Sequence, residues 1–265
     1  MQTIIFRKKV SKGSRFNQIY VPKYLEDDIG VGDEVEVRLI KKHAELYYSK
    51  GLKELSGFKE RLIKDVFSFL SRFDNILNIF LVGSFLFRKI DYGDIDIVII
   101  TENKIRNFDE LVYNQLTNKF NLKFHILSIE KKRFESLLKA CPLTRAMFNI
   151  YISDKRVSLE RKKIIDNNHL RFLLMMPEDL LEIRLNNRIF FDNLRRLITI
   201  ERFLYNKRLN LDEINSELRN LMGARKYERM KNNEEIEEGK IKDIREIMKI
   251  KIKKINEMIQ GGEKG

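Results

Sequence analysis

The sequence predicts a multidomain α+β protein with three regions of different pattern. Residues 1–50 read as a small β module, residues 51–157 as a mixed sheet with helices, and residues 158–265 as a helical domain. The first region has short runs of alternating polarity between turns, the second alternates apolar runs with helix-period stripes, and the third combines long apolar stripes with dense charge. No repeat of 20–50 residues is visible, so a solenoid is not expected.

Composition narrows the functional classes. The hydrophobic content of 43% is ordinary for a globular protein, and the net charge of +13 favours a polyanionic partner, although a biased genome composition produces the same balance. The longest apolar stretch is too short to span a membrane, so no membrane partner is expected. The start of the chain has no apolar signal core and Cys141 is the single cysteine, which together predict a cytoplasmic protein without a cysteine-based zinc site.

The first region contains three predicted strands. They cover residues 3–10, 16–21 and 34–40; the second ends at Pro22, and a short helical turn over residues 23–29 precedes the third. The first 15 residues contain no acid and carry a basic cluster that could contact DNA phosphates: Arg7, Lys8, Lys9, Lys12 and Arg15. The same lysines could instead form a solvated edge that prevents aggregation.

The string QIYVPKYLEDDIGVGDEVEVRLI resembles the AbrB/SpoVT-type family of swapped-hairpin DNA-binding domains, over about residues 1–45. The resemblance implies that two chains interleave hairpins into one small barrel, and therefore a homodimer. A module of this size buries little core alone, which agrees with pairing two copies. The family resemblance leaves two uses open, DNA binding and dimerisation only.

The central region alternates helices and strands. Helices are predicted over residues 52–73, 108–120 (capped by Asn107) and 130–140, strands over 79–82, 94–100 and 122–129, and a hairpin over 149–159 with Asp154 near its turn. We expect the strands to form one buried mixed sheet with helices on it.

Two acids on one of these strands carry the chemistry. Asp94 and Asp96 are two residues apart, so their side chains share one face, about 7 Å apart along the strand. Like charges this close favour a bound cation, and Mg²⁺ prefers one or two carboxylates together with phosphate oxygens and water. Gly83 and Ser84 follow an apolar strand, where a bend before a helix is suited to nucleotide phosphates.

The stretch GSFLFRKIDYGDIDIVII resembles the motif of the DNA polymerase β-type nucleotidyltransferase superfamily, especially its small prokaryotic members. The resemblance covers about residues 55–155. It implies that Gly83 and Ser84 hold nucleotide phosphates and that Asp94 and Asp96 are catalytic ligands of Mg²⁺. The implied reaction transfers a nucleoside monophosphate from an NTP, with ATP the expected donor, to a hydroxyl of an RNA or protein acceptor.

The third carboxylate that this superfamily usually places on a later strand is missing. The corresponding strand carries Lys123, His125 and Leu127 on one face. His125 could act as a general base or be a hydrogen-bonded structural histidine, and both interpretations stay open. The remaining candidate acids have no strand position that recommends them: Asp91, Asp109 and Glu130.

The last third predicts helices over residues 159–176, 178–206, 211–222 and 241–259, with breaks at Pro177 and Gly223 and a cap at Asn210. The resemblance implies that this part recognises the acceptor or dimerises. An alternative for the whole chain is a DNA-binding transcriptional regulator, or an antitoxin-like protein, whose transferase domain binds nucleotide without catalysis.

Overall fold

A computed structural model describes most of the chain. It covers residues 4–38, 44–52, 55–87, 93–159, 162–183, 186–234, 236 and 238–261. Contacts divide the chain into two compact units, residues 1–41 and 42–265. The finer division of the second unit near residue 157 stays a prediction.

The first unit has little regular structure. Strand β1 (Ser11–Lys12) pairs antiparallel with β2 (Asn17–Gln18), and a 3-10 turn over Lys23–Leu25 follows Pro22. The predicted strands over residues 3–10 and 34–40 are wrong where they are described, since residues 4–10 and 34–38 form no strand. A strand needs a hydrogen-bonded neighbour, and the described part of the single chain offers these segments none.

The second unit contains the predicted mixed sheet. Its order is β3-β7-β4-β5-β6; β5 and β6 are parallel, and the other neighbours are antiparallel. The strands are β3 (Tyr47–Tyr48), β4 (Ile76–Val82), β5 (Ile95–Thr101), β6 (Phe124–Glu130) and β7 (Ile152–Ser153). Strands β4 and β5 consist largely of apolar residues, as expected for strands buried on both faces, whereas β6 alternates buried and more exposed residues.

Helices cover the two faces unequally. On one face α1 (Gly57–Leu70) and α2 (Phe108–Phe120) bury the side chains of Ile95 and Ile97. On the other face α3 (Lys131–Ala140), followed by the short α4 (Pro142–Met147), covers the half that contains Val98. The predicted acids lie at the start of β5, where Asp94 and Asp96 are half-buried.

Two local predictions in this region are wrong. The hairpin over residues 149–159 does not form: β7 has two residues and pairs with β3 and β4 instead. Asp154 lies against β4, where its Oδ1 accepts a hydrogen bond of 2.7 Å from the Ile79 amide. Asn107 precedes α2 with a left-handed backbone (φ 55°) and gives it no side-chain cap.

The C-terminal helices pack around α6. They are α5 (Asn167–Asp179), α6 (Asn187–Leu204), α7 (Leu211–Met222), α8 (Ala224–Lys231) and α9 (Glu238–Gly261). Asn210 caps α7 and Gly223 ends it, as predicted, whereas α8 was not expected. The predicted break at Pro177 is wrong, because proline lies inside the last turn of α5 and the helix ends at Asp179. Among the described residues, no helix is both long and apolar enough to cross a membrane.

Candidate functional site

The site begins at the bend after β4. Gly83 has φ 80° and ψ −161°, and the chain then makes one 3-10 turn over Ser84–Leu86. The sequence predicts a helix here, and the structure has none as far as Phe87, where the backbone is extended. Phe85 and Leu86 are buried, so their side chains draw the turn into the core. The bend therefore lacks the helix N-terminus expected to attract phosphate.

Asp94 and Asp96 lie on the same face of the sheet beside this bend. Ile95 and Ile97 between and after them are each 1% exposed on the opposite face, as the alternation predicts. Burial raises the pKa of Asp96, the hydrogen bond with His125 lowers it, and the charge of Asp94 raises it again, so that the net direction is upward. Asp96 is thus partly removed from water, and within the described ranges its interaction with His125 does not offset the effect of burial.

Gly83 and Asp96 are in direct contact. Val82 pairs with Asp96 across β4 and β5, which sets the bend next to the carboxylate. A Cβ atom on residue 83 would lie 2.0 Å from Asp96 Oδ2, so only glycine leaves room for the acid in this position. Its positive φ is a second reason for glycine here. The two halves of the sequence motif therefore meet in the fold.

His125 stands beside Asp96 on the neighbouring parallel strand. The two residues are in register, and His125 Nδ1 lies 3.0 Å from Asp96 Oδ1. Phe124 and Ile126 are buried while His125 is exposed, as the strand pattern predicts. An ionised carboxylate only accepts hydrogen bonds, so Nδ1 is the donor in this contact, and in the neutral tautomer that fits it Nε2 has the lone pair. This geometry is compatible with both a base and a structural histidine.

The other candidate acids serve backbone contacts elsewhere. Asp109 Oδ1 accepts from the Ser128 amide at 2.8 Å, and Glu130 Oε1 accepts from the Lys104 amide at 3.2 Å. Asp91 lies outside the described residues.

The donor set of the acid pair suits Mg²⁺. Two carboxylates are hard oxygen donors, and within the described ranges no basic side chain pairs with Asp94. In those same ranges no three His, Cys, Asp or Glu side chains are grouped to hold a metal ion. At this site Asp94 and Asp96 are the residues that could hold such an ion.

Sequence reasoning missed Lys59, which lies on α1 under the bend. Its Nζ donates to the carbonyl oxygens of Phe85 and Phe87, both at 2.7 Å. The apolar Phe58 beside it is 60% exposed, whereas Lys59 is only 8% exposed. The available signal was spacing, because Lys59 is four residues before the fully buried Ile63.

Two further features lie away from the acid pair. The basic side chains predicted to contact DNA are all exposed in the first unit: Arg7, Lys8, Lys9, Lys12 and Arg15. A cavity of about 320 Å³ lies at the β3 edge of the sheet, lined by Tyr47, Tyr48 and Tyr151 among others. The acid pair lies toward the opposite edge, on β5 next to β6, so this cavity is a different place.

Comparison with known proteins identifies no relative: no family model, no curated protein and no solved structure matches the chain at a significant level. The class of the site therefore rests on its own geometry.

Proposed function

We propose that the chain is a nucleotidyltransferase that moves a nucleoside monophosphate from an NTP, with ATP the expected donor, to a hydroxyl of a macromolecular acceptor. The observation that carries the proposal is the contact between Gly83 and Asp96, together with Asp94 on the same face. A phosphate-accepting bend and a pair of metal-binding acids at one place are what this chemistry requires.

Each residue has a distinct role in this proposal. The backbone of Gly83 and the hydroxyl of Ser84 bind and orient the nucleotide phosphates, because glycine lets phosphate oxygens approach the chain closely. Asp94 and Asp96 hold Mg²⁺, which when bound offsets charge on the triphosphate. His125 keeps the Asp96 carboxylate in place through Nδ1, and its Nε2 could accept the proton of the acceptor hydroxyl.

The test is incorporation of label from α-labelled ATP into RNA and protein of a cell extract. We expect the Asp94→Asn, Asp96→Asn double variant to lose at least about a hundredfold in rate, since metal-supported charge stabilisation is worth several kcal/mol. The matched control, Asp212→Asn with Asp243→Asn, removes two exposed carboxylates and the same charge. Equal incorporation by wild type and the site variant would reject the catalytic assignment.

We also propose DNA binding by the first unit, which would make the chain a regulator that senses nucleotide if catalysis is absent. The exposure of its five basic side chains supports this. Replacing Arg7, Lys8 and Lys9 by Ala is expected to weaken duplex DNA binding and to reduce its salt dependence. Replacing Lys131, Lys132 and Arg133 on α3 by Ala is the control, since these are equally exposed. Equal loss in both variants would argue against a specific interface.

A homodimer formed through the first unit is part of the same proposal. No large apolar side chain is buried in the described part of this unit; Ile5, Phe16 and Val37, for example, are 84%, 78% and 64% exposed. A second copy would cover such surface. Sedimentation should give the mass of two chains for wild type and of one chain after Val35→Lys and Val37→Lys, and a monomeric wild type would contradict this.

A further inference from the structure

Lys59 occupies a position where an apolar residue would be expected. It shares the core-facing side of α1 with Ile63, Val66 and Phe67, and only 8% of its surface is exposed. Burial lowers the pKa of Lys59, because a charged amine is poorly solvated there. Such a group costs free energy unless it makes hydrogen bonds, so its contacts indicate what it is for.

Those contacts hold the turn that follows Gly83, in its second half and at its end. The ammonium group donates to the Phe85 and Phe87 carbonyls at 2.7 Å each and lies 4.8 Å from the centre of the Phe85 ring. The hydrogen bonds of the turn itself are longer, 3.3 Å from the Leu86 amide to Gly83 and 3.1 Å from the Phe87 amide to Ser84. The shortest bonds that fix this turn therefore come from Lys59.

We infer that Lys59 is a positioning residue, which holds the bend at Gly83 and Ser84 in shape and brings positive charge under it. The charge takes the place of the helix N-terminus that the structure lacks after Ser84. The effect on nucleotide rests on the proposed function, whereas the effect on the bend does not. Lys59 touches backbone carbonyls and is not assigned contact with substrate.

The test compares Lys59→Met with a matched control, Lys163→Met, in the full chain. Lys163 Nζ also donates to a backbone carbonyl, that of Phe203 at 2.5 Å, and lies 4.7 Å from the Phe203 ring. Lys163 itself precedes α5 in the helical part, and its Nζ contacts the C-terminal end of α6. Two quantities are measured: hydrogen exchange of the peptide spanning residues 83–87, and the Kd for a non-hydrolysable ATP analogue with Mg²⁺.

We expect Lys59→Met to speed exchange of residues 83–87 and to raise the Kd about tenfold, because a turn that is held less firmly must be ordered when the nucleotide binds. Lys163→Met should change neither, and Lys59→Arg, which keeps charge and donors, should restore most of the affinity. In a transfer assay the loss should fall on KM, with kcat close to wild type. Lys59→Gln, which keeps one donor without charge, is measured in parallel in case Lys59→Met does not fold.

The possible outcomes distinguish the positioning role of Lys59 from the proposed nucleotidyltransferase function. Unchanged exchange of residues 83–87 in a folded Lys59→Met or Lys59→Gln protein overturns the inference, whatever the nucleotide does. Faster exchange in those variants, with no analogue bound by wild type, supports the positioning role and rejects the proposed function. An equal change with Lys163→Met shows general loosening and also overturns the inference.

Discussion

The surroundings of two partly buried carboxylates, Glu201 in the helical part and Asp96 in the sheet, shift their pKa values in opposite directions. The Glu201 side chain is 9% exposed and accepts from Lys251 at 2.5 Å and Lys254 at 2.6 Å. Burial raises the pKa of Glu201, but the hydrogen bonds and charges of the two lysines outweigh it, so that the net direction is downward. Asp96 has a single imidazole partner and an acid neighbour, and its pKa moves upward mainly through burial.

The difference shows where the side chains of the protein neutralise a buried carboxylate and where they do not. Among the described residues of the helical part, the two buried charged side chains both have opposite charges beside them: Glu201 has its two lysines, and Arg202 pairs with Glu213 and Glu217 on α7. At the acid pair the described residues supply no such cation. For the described residues, this contrast supports the proposal that a ligand binds at the acid pair.

Glu201→Gln should have the largest effect on stability. The substitution leaves the Lys251 side chain, which is 13% exposed, without its ion partner. Breaking a buried pair in this way lowers the free energy of unfolding by about 3 kcal/mol. Urea denaturation at pH 7 measures the free energy of unfolding. The control is Glu246→Gln, since Glu246 forms an exposed pair with Lys249 that is worth at most about 1 kcal/mol.

The stability difference between wild type and Glu201→Gln should depend on pH in one direction only. Because the folded pKa of Glu201 is lowered, its contribution is present above its ordinary pKa of about 4.3 and is lost as the pH falls through the folded value. The gap between wild type and Glu201→Gln should stay constant near neutrality and close below about pH 4. A gap that widens in acid would refute the ion-pair explanation.

Gly83→Ala should have the next largest effect. The new Cβ would overlap Asp96 Oδ2 and the backbone would keep a positive φ, for an expected loss of about 2 kcal/mol. Gly223→Ala is a matched control, since Gly223 has φ 79° and open space around its Cα. The excess of the first loss over the second measures the contact with Asp96, and equal losses would mean that this contact contributes nothing.

Asp96→Asn should have the smallest effect and the opposite sign, a gain of about 0.5–1 kcal/mol at pH 7. The raised pKa of Asp96 means that its ionised form is disfavoured in the fold, so the amide gains as the pH rises through that folded value. The gain should vanish below about pH 3.9, where the acid is neutral in both states. A loss of stability of Asp96→Asn at pH 7 would contradict the opposite behaviour of Asp96 and Glu201 that the pKa directions predict.

Strands and helices with strong local signals were predictable. The α2 helix spans the predicted residues, β4 and β5 differ from prediction by a few residues at their ends, and α7 has its predicted cap and end. The position of Lys251 in the apolar stripe of α9 becomes clear only with Glu201, a partner 50 residues away. Local periodicity cannot show such a partner.

The parts that could not be predicted depend on distant pairing. Strand β7 finds its neighbours in β3 and β4, whereas local pattern suggested a hairpin. The face of β6 that carries His125 was predicted correctly, but its register against Asp96 is set by parallel pairing. Lys59 was missed because a lysine in a helix ordinarily faces water.

Because of the acid pair Asp94 and Asp96, the stability of the fold can be used to measure ligand binding at this site. A species that binds between Asp94 and Asp96 in the folded chain alone adds about 2.7 kcal/mol at a hundredfold excess over its dissociation constant. We therefore expect the melting temperature to rise with an ion or nucleotide that binds this pair and to stay unchanged with one that does not. A thermal scan across salts would rank its ligands before any reaction is known.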